Sequence, residues 1–223
     1  MFTIKFIKNL VFDGDKLCAI GRSGYPTKVF LRQGNLDGAC AVYSLMMLLI
    51  FHERINREDL YDEIYHRKPE YLRRLKKQFL CSIRGHYMGG YSFEEIGSEL
   101  MKSFEGDIPV KVYDENEKKF HMRIKQQLDA RLPVQIGYSK PNENYGHSVV
   151  AIGYTICGDI LRLFCLDPAY NLPFSSLWNN VIDINMNESG ERFDYNHYTD
   201  SKIYVDKILL IKDASKIKDS LPF

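Results

Sequence analysis

The chain has 223 residues, enough for one sizeable hydrophobic core or two small lobes. Its 45% hydrophobic and 26% charged residues are those of a globular protein and exclude disorder over most of the length. With 30 Lys and Arg against 29 Asp and Glu the formal charge is +1, so no whole-molecule field draws it to nucleic acid or an anionic membrane.

From the N-terminus, residues 1–33 alternate apolar and polar side chains between breaks at Gly14, Gly21, Gly24 and Pro26, a pattern of short strands or an extended arm. Lys5, Lys8, Asp13 and Asp15 interrupt it, so the unbroken apolar stretch of a secretory signal is missing and a cytoplasmic location is expected. Next comes "QGNLDGACAVYSLMMLLIF", which holds the longest apolar run, residues 39–51. That run is shorter than the ~20 residues of a spanning helix, so no membrane insertion is expected. Free of Gly and Pro, it predicts a buried helix from 40 to about 52, with Asp37 as its N-cap.

"NREDLYDEIYHR" and "PEYLRRLKKQFL" are amphipathic helical patterns. Their basic set, Arg67, Lys68, Arg73, Arg74, Lys76 and Lys77, follows Glu58, Asp59, Asp62 and Glu63 and reads as a solvated face rather than a phosphate site. In "MGGYSFEEIGSELMKSF" a turn at Gly89-Gly90 precedes a capping box from Ser92 to Glu95 and a helix with Ile96 and Leu100 inward. "KKFHMRIKQQLDARL" is a further helix, closed at Pro133. Beyond it the period shortens from about 3.6 to 2, and "PVQIGY", "HSVVAIGY", "ILRLFCLDPAY", "VIDINM" and "KIYVDKILLI" read as strands. Helices therefore precede sheet, an α+β order: an N-terminal arm (1–33), a helical part (34–130) and a sheet-rich part (131–223).

Cysteines at 18, 40, 81, 157 and 165 are odd in number, which suits thiols rather than a disulfide framework. Neither CxxC nor HExxH occurs, and His and Cys do not cluster at ligand spacing, so no metal and no cofactor are expected. Cys40 stands apart from the other four. A nucleophilic cysteine needs its thiolate, favoured by a helix N-terminus and a neighbouring imidazolium, and Cys40 opens a helix. Of six histidines, His52 and His66 lie in or near amphipathic helices, and His86, His121 and His197 in polar segments. His147 follows Gly146 at the start of a buried strand, where its ring can face a cleft. The next strand ends at Asp167-Pro168, and in antiparallel neighbours the start of one strand lies beside the end of the other, so a carboxylate can meet that ring. Taken singly, each feature has a plainer reading: a packed thiol, a structural histidine and a turn.

In this order, "QGNLDGACAVYSL", "IKQQLDARLPVQIGY", "GHSVVAIGY" and "LDPAY" resemble the papain-like cysteine peptidases. The nearest likeness is to the bacterial branch with the bacteriocin-processing peptidases that cut after a double glycine. The resemblance spans roughly residues 30–180. It implies a helical lobe and an antiparallel sheet lobe with the active-site cleft between them. It also implies Cys40 as nucleophile, His147 as acid and base, Asp167 as its orienting group and Gln33 as oxyanion donor. Gly89, Gly90 and Gly146 would offer backbone to a peptide or protein substrate. Gln33 lies one position farther from Cys40 than the family's usual spacing, and Ala41 stands where Gly or Trp is common. Trp178 is too far past Asp167 to equate with the tryptophan that shields the histidine in some relatives. The same residues also suit acyl transfer or glutamine deamidation, and the altered Gln33 spacing leaves room for an unreactive peptide-binding module. Oligomeric state is not legible.

Overall fold

A computed structural model describes residues 3–21, 24–34, 39–61, 68–81, 90–117, 120–141, 146–187 and 194–212. The alternating N-terminal arm forms β1 (Lys5–Phe6), β2 (Leu10–Asp13), β3 (Lys16–Ile20) and β4 (Pro26–Lys28), of which β2, β3 and β4 make a small antiparallel sheet. Helix α1 (Cys40–Phe51) is apolar all round and buried along nearly its whole length, as a central helix must be. Its N-cap residue is Ala39, which has no side chain to cap the first turn. The expected cap, Asp37, lies outside the described residues.

Short α2 (Glu58–Tyr61) and α3 (Glu70–Leu75) follow, the latter running into a π-helical turn, Lys76–Leu80. In α4 (Phe93–Ser103) the capping box forms: Ser92 Oγ accepts from Glu95 N–H at 3.2 Å and Glu95 Oε2 accepts from Ser92 N–H at 3.0 Å. Strand β5 (Val110–Asp114) was not expected from the sequence, and α5 (Phe120–Asp129) was. The remaining strands are β6 (Val134–Ser139), β7 (Gly146–Cys157), β8 (Ile160–Leu166), β9 (Asn180–Asn185), β10 (Asp194–Asn196) and β11 (Ser201–Ile211).

These last six strands pair in the order β7-β6-β11-β10-β9-β8, and β8 pairs back to β7, so the antiparallel sheet closes into a barrel and leaves no free edge within the ring. Two strands join from outside it: β5 pairs with β11, and β1 with β7. Gly153 permits the second contact, since a Cβ there would stand 2.4 Å from the Phe6 ring and 2.6 Å from the Lys5 carbonyl oxygen. Helices and sheet are thus mixed in an α+β chain whose sheet draws strands from well before residue 131.

Helix α1 packs on β6 and β7. Fully buried Leu45, Leu48 and Leu49 share one core with barrel residues such as Ile136 and Val150, each side chain contributing about 1.5–3 kcal/mol. Polar ties set the helix at a fixed height on the sheet. Ser44 Oγ donates to the Ser148 carbonyl at 2.9 Å, and Gln135 Nε2 donates to the Ala41 carbonyl at 2.9 Å and to Ser148 Oγ at 3.1 Å. Among the described residues no helix is long and apolar enough to cross a membrane.

Candidate active site

Three elements converge at the first turn of α1. Strands β6 and β7 bring Tyr138 opposite His147, and the β7–β8 register sets Val150 opposite Leu166, so the chain leaving β8 passes the start of β7. Asp167 there meets His147, Nε2 to Oδ1, at 2.7 Å. Both side chains are buried, His147 at 7% exposure and Asp167 at 0%.

The carboxylate is held on every side. Its Oδ1 also accepts from Ala169 N–H at 2.9 Å, and Oδ2 accepts from Asn180 Nδ2 at 2.8 Å. Asn179 clamps the same residue's backbone, accepting from Asp167 N–H at 2.7 Å and donating to its carbonyl at 2.8 Å. Tyr138 packs edge-on against the His147 ring, with centroids 5.3 Å apart. Burial and the nearby Asp167 charge push the Tyr138 phenol well up, so it remains a neutral wall.

With Nε2 taken by Asp167, Nδ1 is the other ring nitrogen, and Cys40 is among the groups that raise the pKa of this imidazole. Burial alone pulls the imidazolium's pKa down. The hydrogen bonds to Asp167 and Cys40, with their charges, outweigh it and hold the pKa up at about 10. Cys40 is the first residue of α1, buried at 7% exposure, where the helix dipole presents its positive end. Burial pushes the thiols of Cys18 and Cys165 up, Cys165 as an interior residue of β8. Cys157 ends β7, and Cys81 is exposed.

Cys40 and His147 share the lining of a cavity of about 220 Å3 with Ala41, Gly90, Tyr91, Phe93, Gly137, Tyr138, Gly146 and Asp206. Gly90 and Gly146 are therefore at the site, and Gly89 lies outside the described residues. Gln33 stands apart from this lining. Its backbone N–H donates to the Pro168 carbonyl at 2.9 Å, which ties the segment before Cys40 to the Asp167 turn. Trp178 stacks on Phe6 at 5.6 Å between centroids and lies tilted against Phe164 at 4.7 Å.

Sequence reasoning missed Asn179, Asn180, Tyr138, Gln135 and Asp206. Of these only the asparagines carry a signal, two adjacent amides opening the alternating "NNVIDIN". Among the described residues no three His, Cys, Asp or Glu side chains are grouped to hold a metal ion.

Comparison with protein families matches the Peptidase_C39 like family over residues 27–199, a span that contains Gln33, Cys40, His147 and Asp167. No curated protein matches the chain.

Proposed function

Since the chain belongs to the Peptidase_C39 like family, we propose that it is a papain-like cysteine peptidase that hydrolyses peptide or amide bonds through Cys40, His147 and Asp167. Family membership supports a peptidase, a hydrolase, as the reaction class. One observation carries the finer reading: His147, fixed on Asp167 by a 2.7 Å bond, lines one cavity with the cysteine that opens α1.

In this reading the Cys40 sulfur attacks the substrate carbonyl carbon, and the displaced electron pair collects on oxygen. The Cys40 backbone N–H donates to that oxyanion, and Gln33, outside the cavity lining but tied by its backbone to the Asp167 turn, is the second donor this reading assigns. The intermediate collapses, and the departing amine takes the proton from His147 Nδ1. Water then gives a proton to Nδ1 as it attacks the thioester; Cys40 leaves as thiolate and the product as a carboxylic acid. Asp167 keeps the imidazole in one orientation throughout. The cavity beside Cys40 is the substrate cleft, between the helical part and the barrel, and the partner is a peptide or protein segment.

The test is residue-resolved alkylation by iodoacetamide at neutral pH, followed by peptide digestion. Cys40 is expected to react fastest of the five thiols, to lose that lead in His147→Ala, and the wild type to cut peptides that Cys40→Ala leaves whole. Mass analysis of the products separates cleavage from a deamidated or crosslinked side chain. A Cys40 that alkylates no faster than it does in denatured protein, together with intact peptides, overturns the assignment in favour of a binding module.

A further inference from the structure

Strand interiors seldom give up a side chain, yet β6 carries buried Gly137 near its centre, opposite Ser148. A Cβ there would lie 3.2 Å from the Phe93 ring and 3.4 Å from Asp206 Oδ1, so the absent side chain leaves open the space these two groups border. Asp206 reaches this place through a bulge. Strand β11 pairs with β6 on both sides of it, but the register slips between Val205 and Lys207 and leaves Asp206 as the extra residue. A carboxylate is thereby set into the wall of the cavity that holds Cys40 and His147.

The cations that share this lining, His147 and Lys207, are each bound to another carboxylate, Asp167 and Glu94. Among the described residues Asp206 forms no ion pair, and the ammonium of Lys207, its neighbour in the chain, is engaged by Glu94. Burial pushes the Asp206 carboxyl above its ordinary value, against a hydrogen bond from Ser139 and the charge of Lys207. That is the behaviour of a carboxylate short of a counter-charge. The walls around it are the buried rings of Tyr91, Phe93 and Tyr138. Such rings suit the methylene stem of a long cationic side chain and attract its charge. At about 220 Å3 the cavity is below the ~300–1,000 Å3 of sites that enclose a whole small molecule, a size for one side chain.

We propose that Asp206 is a specificity-determining residue that selects a lysine or arginine side chain at the one substrate position whose side chain enters this cavity. The inference rests on the peptidase reading above and adds the substrate class to it. A half-buried carboxylate beside aromatic walls gains an ion pair when Lys or Arg enters and is left unpaired when a neutral side chain does, and this difference is what selects.

The experiment is digestion of a proteome-derived peptide library, with residues on both sides of every cut read by mass spectrometry. Wild type is expected to enrich Lys and Arg at one fixed position. Asp206→Asn removes the enrichment, and Asp206→Lys turns it toward Asp and Glu at the same position. A matched peptide pair, arginine against its neutral isostere citrulline at that position, gives the same reading without a variant: kcat/KM differs by about tenfold or more. Cuts without a basic preference, a preference that survives Asp206→Asn, or an arginine-to-citrulline ratio near one overturns this inference and leaves the peptidase reading standing. A wild type that cuts no peptide overturns both.

Discussion

Two histidine–carboxylate pairs sit on the same barrel at nearly the same distance. His147 and Asp167 meet at 2.7 Å with side chains 7% and 0% exposed, and His197 and Asp183 at 2.8 Å with 41% and 14%. The partners of each carboxylate separate them further. Asp183 also takes a two-pronged contact from Arg162, at 2.7 and 2.8 Å, and although burial works the other way, Arg162 and His197 hold its carboxyl below the usual range. Asp167 is bound by neutral amides, from Ala169 and Asn180, so its charge is left for the imidazole. His147 shares its cavity with the thiol at the start of α1, whereas the His197 ring meets the edge of Tyr195 at 5.2 Å. A close His–Asp contact is therefore not in itself a reactive site. Under the proposed function, burial, a carboxylate with no competing cation and a cysteine in the same cavity make the difference.

The sharpest way to break the comparison is to delete each histidine. His147→Ala is expected to lower kcat/KM on a peptide substrate by about 10³-fold or more, while His197→Ala stays within about twofold, as surface changes do. Equal losses would mean that the buried pair has no chemical privilege.

Deleting the carboxylates gives a second, smaller contrast. In the proposed reaction His147 must keep its proton to give it to the leaving amine, so activity is expected to fall on the alkaline side as the ring titrates toward about 10. Asp167 is the strongest of the groups that raise this pKa, so Asp167→Ala moves the alkaline limb of the pH–rate profile to lower pH, and Asp183→Ala leaves it in place. Stability carries the same sign. The folded pKa of His147 lies above its ordinary 6.5, so its stabilising contribution is complete below that pH and fades as pH rises to about 10. Thermal melts across this window should decline more in wild type than in His147→Ala.

The smallest effects concern the supporting partners. Asn180→Ala strips a buried hydrogen bond from Asp167 and is expected to cost about 1–3 kcal/mol in urea unfolding. Arg162→Ala removes a half-exposed ion pair and is expected to cost no more than about 1 kcal/mol. A reversed order would show that the network around Asp167 is not what holds that turn.

Much of this arrangement is legible from residues close together in the chain. The start of α1 at Cys40 follows from an apolar run free of Gly and Pro, and the Ser92–Glu95 box from a local spacing whose hydrogen bonds close within one turn. The meeting of His147 with Asp167 follows from consecutive antiparallel strands, because the second must return past the start of the first. His197 shows the limit of such reading. Its polar surroundings conceal a contact with Asp183 that depends on the chain returning to β9.

What the sequence by itself determined is therefore most of the longer helices and strands, though not β5 or β10, the helix-start position of Cys40 and the nearness of His147 to Asp167, since each depends on periodicity or on neighbours in the chain. Closure of the barrel, the joining of β5 to β11, the reach of Gln135 to Ala41 across 94 positions and the turn of Asp206 toward Cys40 were decided only in the tertiary structure. The reason is register: which strand pairs with which, and where one extra residue bulges, decides the face a side chain takes, and a slip of a single residue in β11 would send the Asp206 carboxylate to the other side of the sheet.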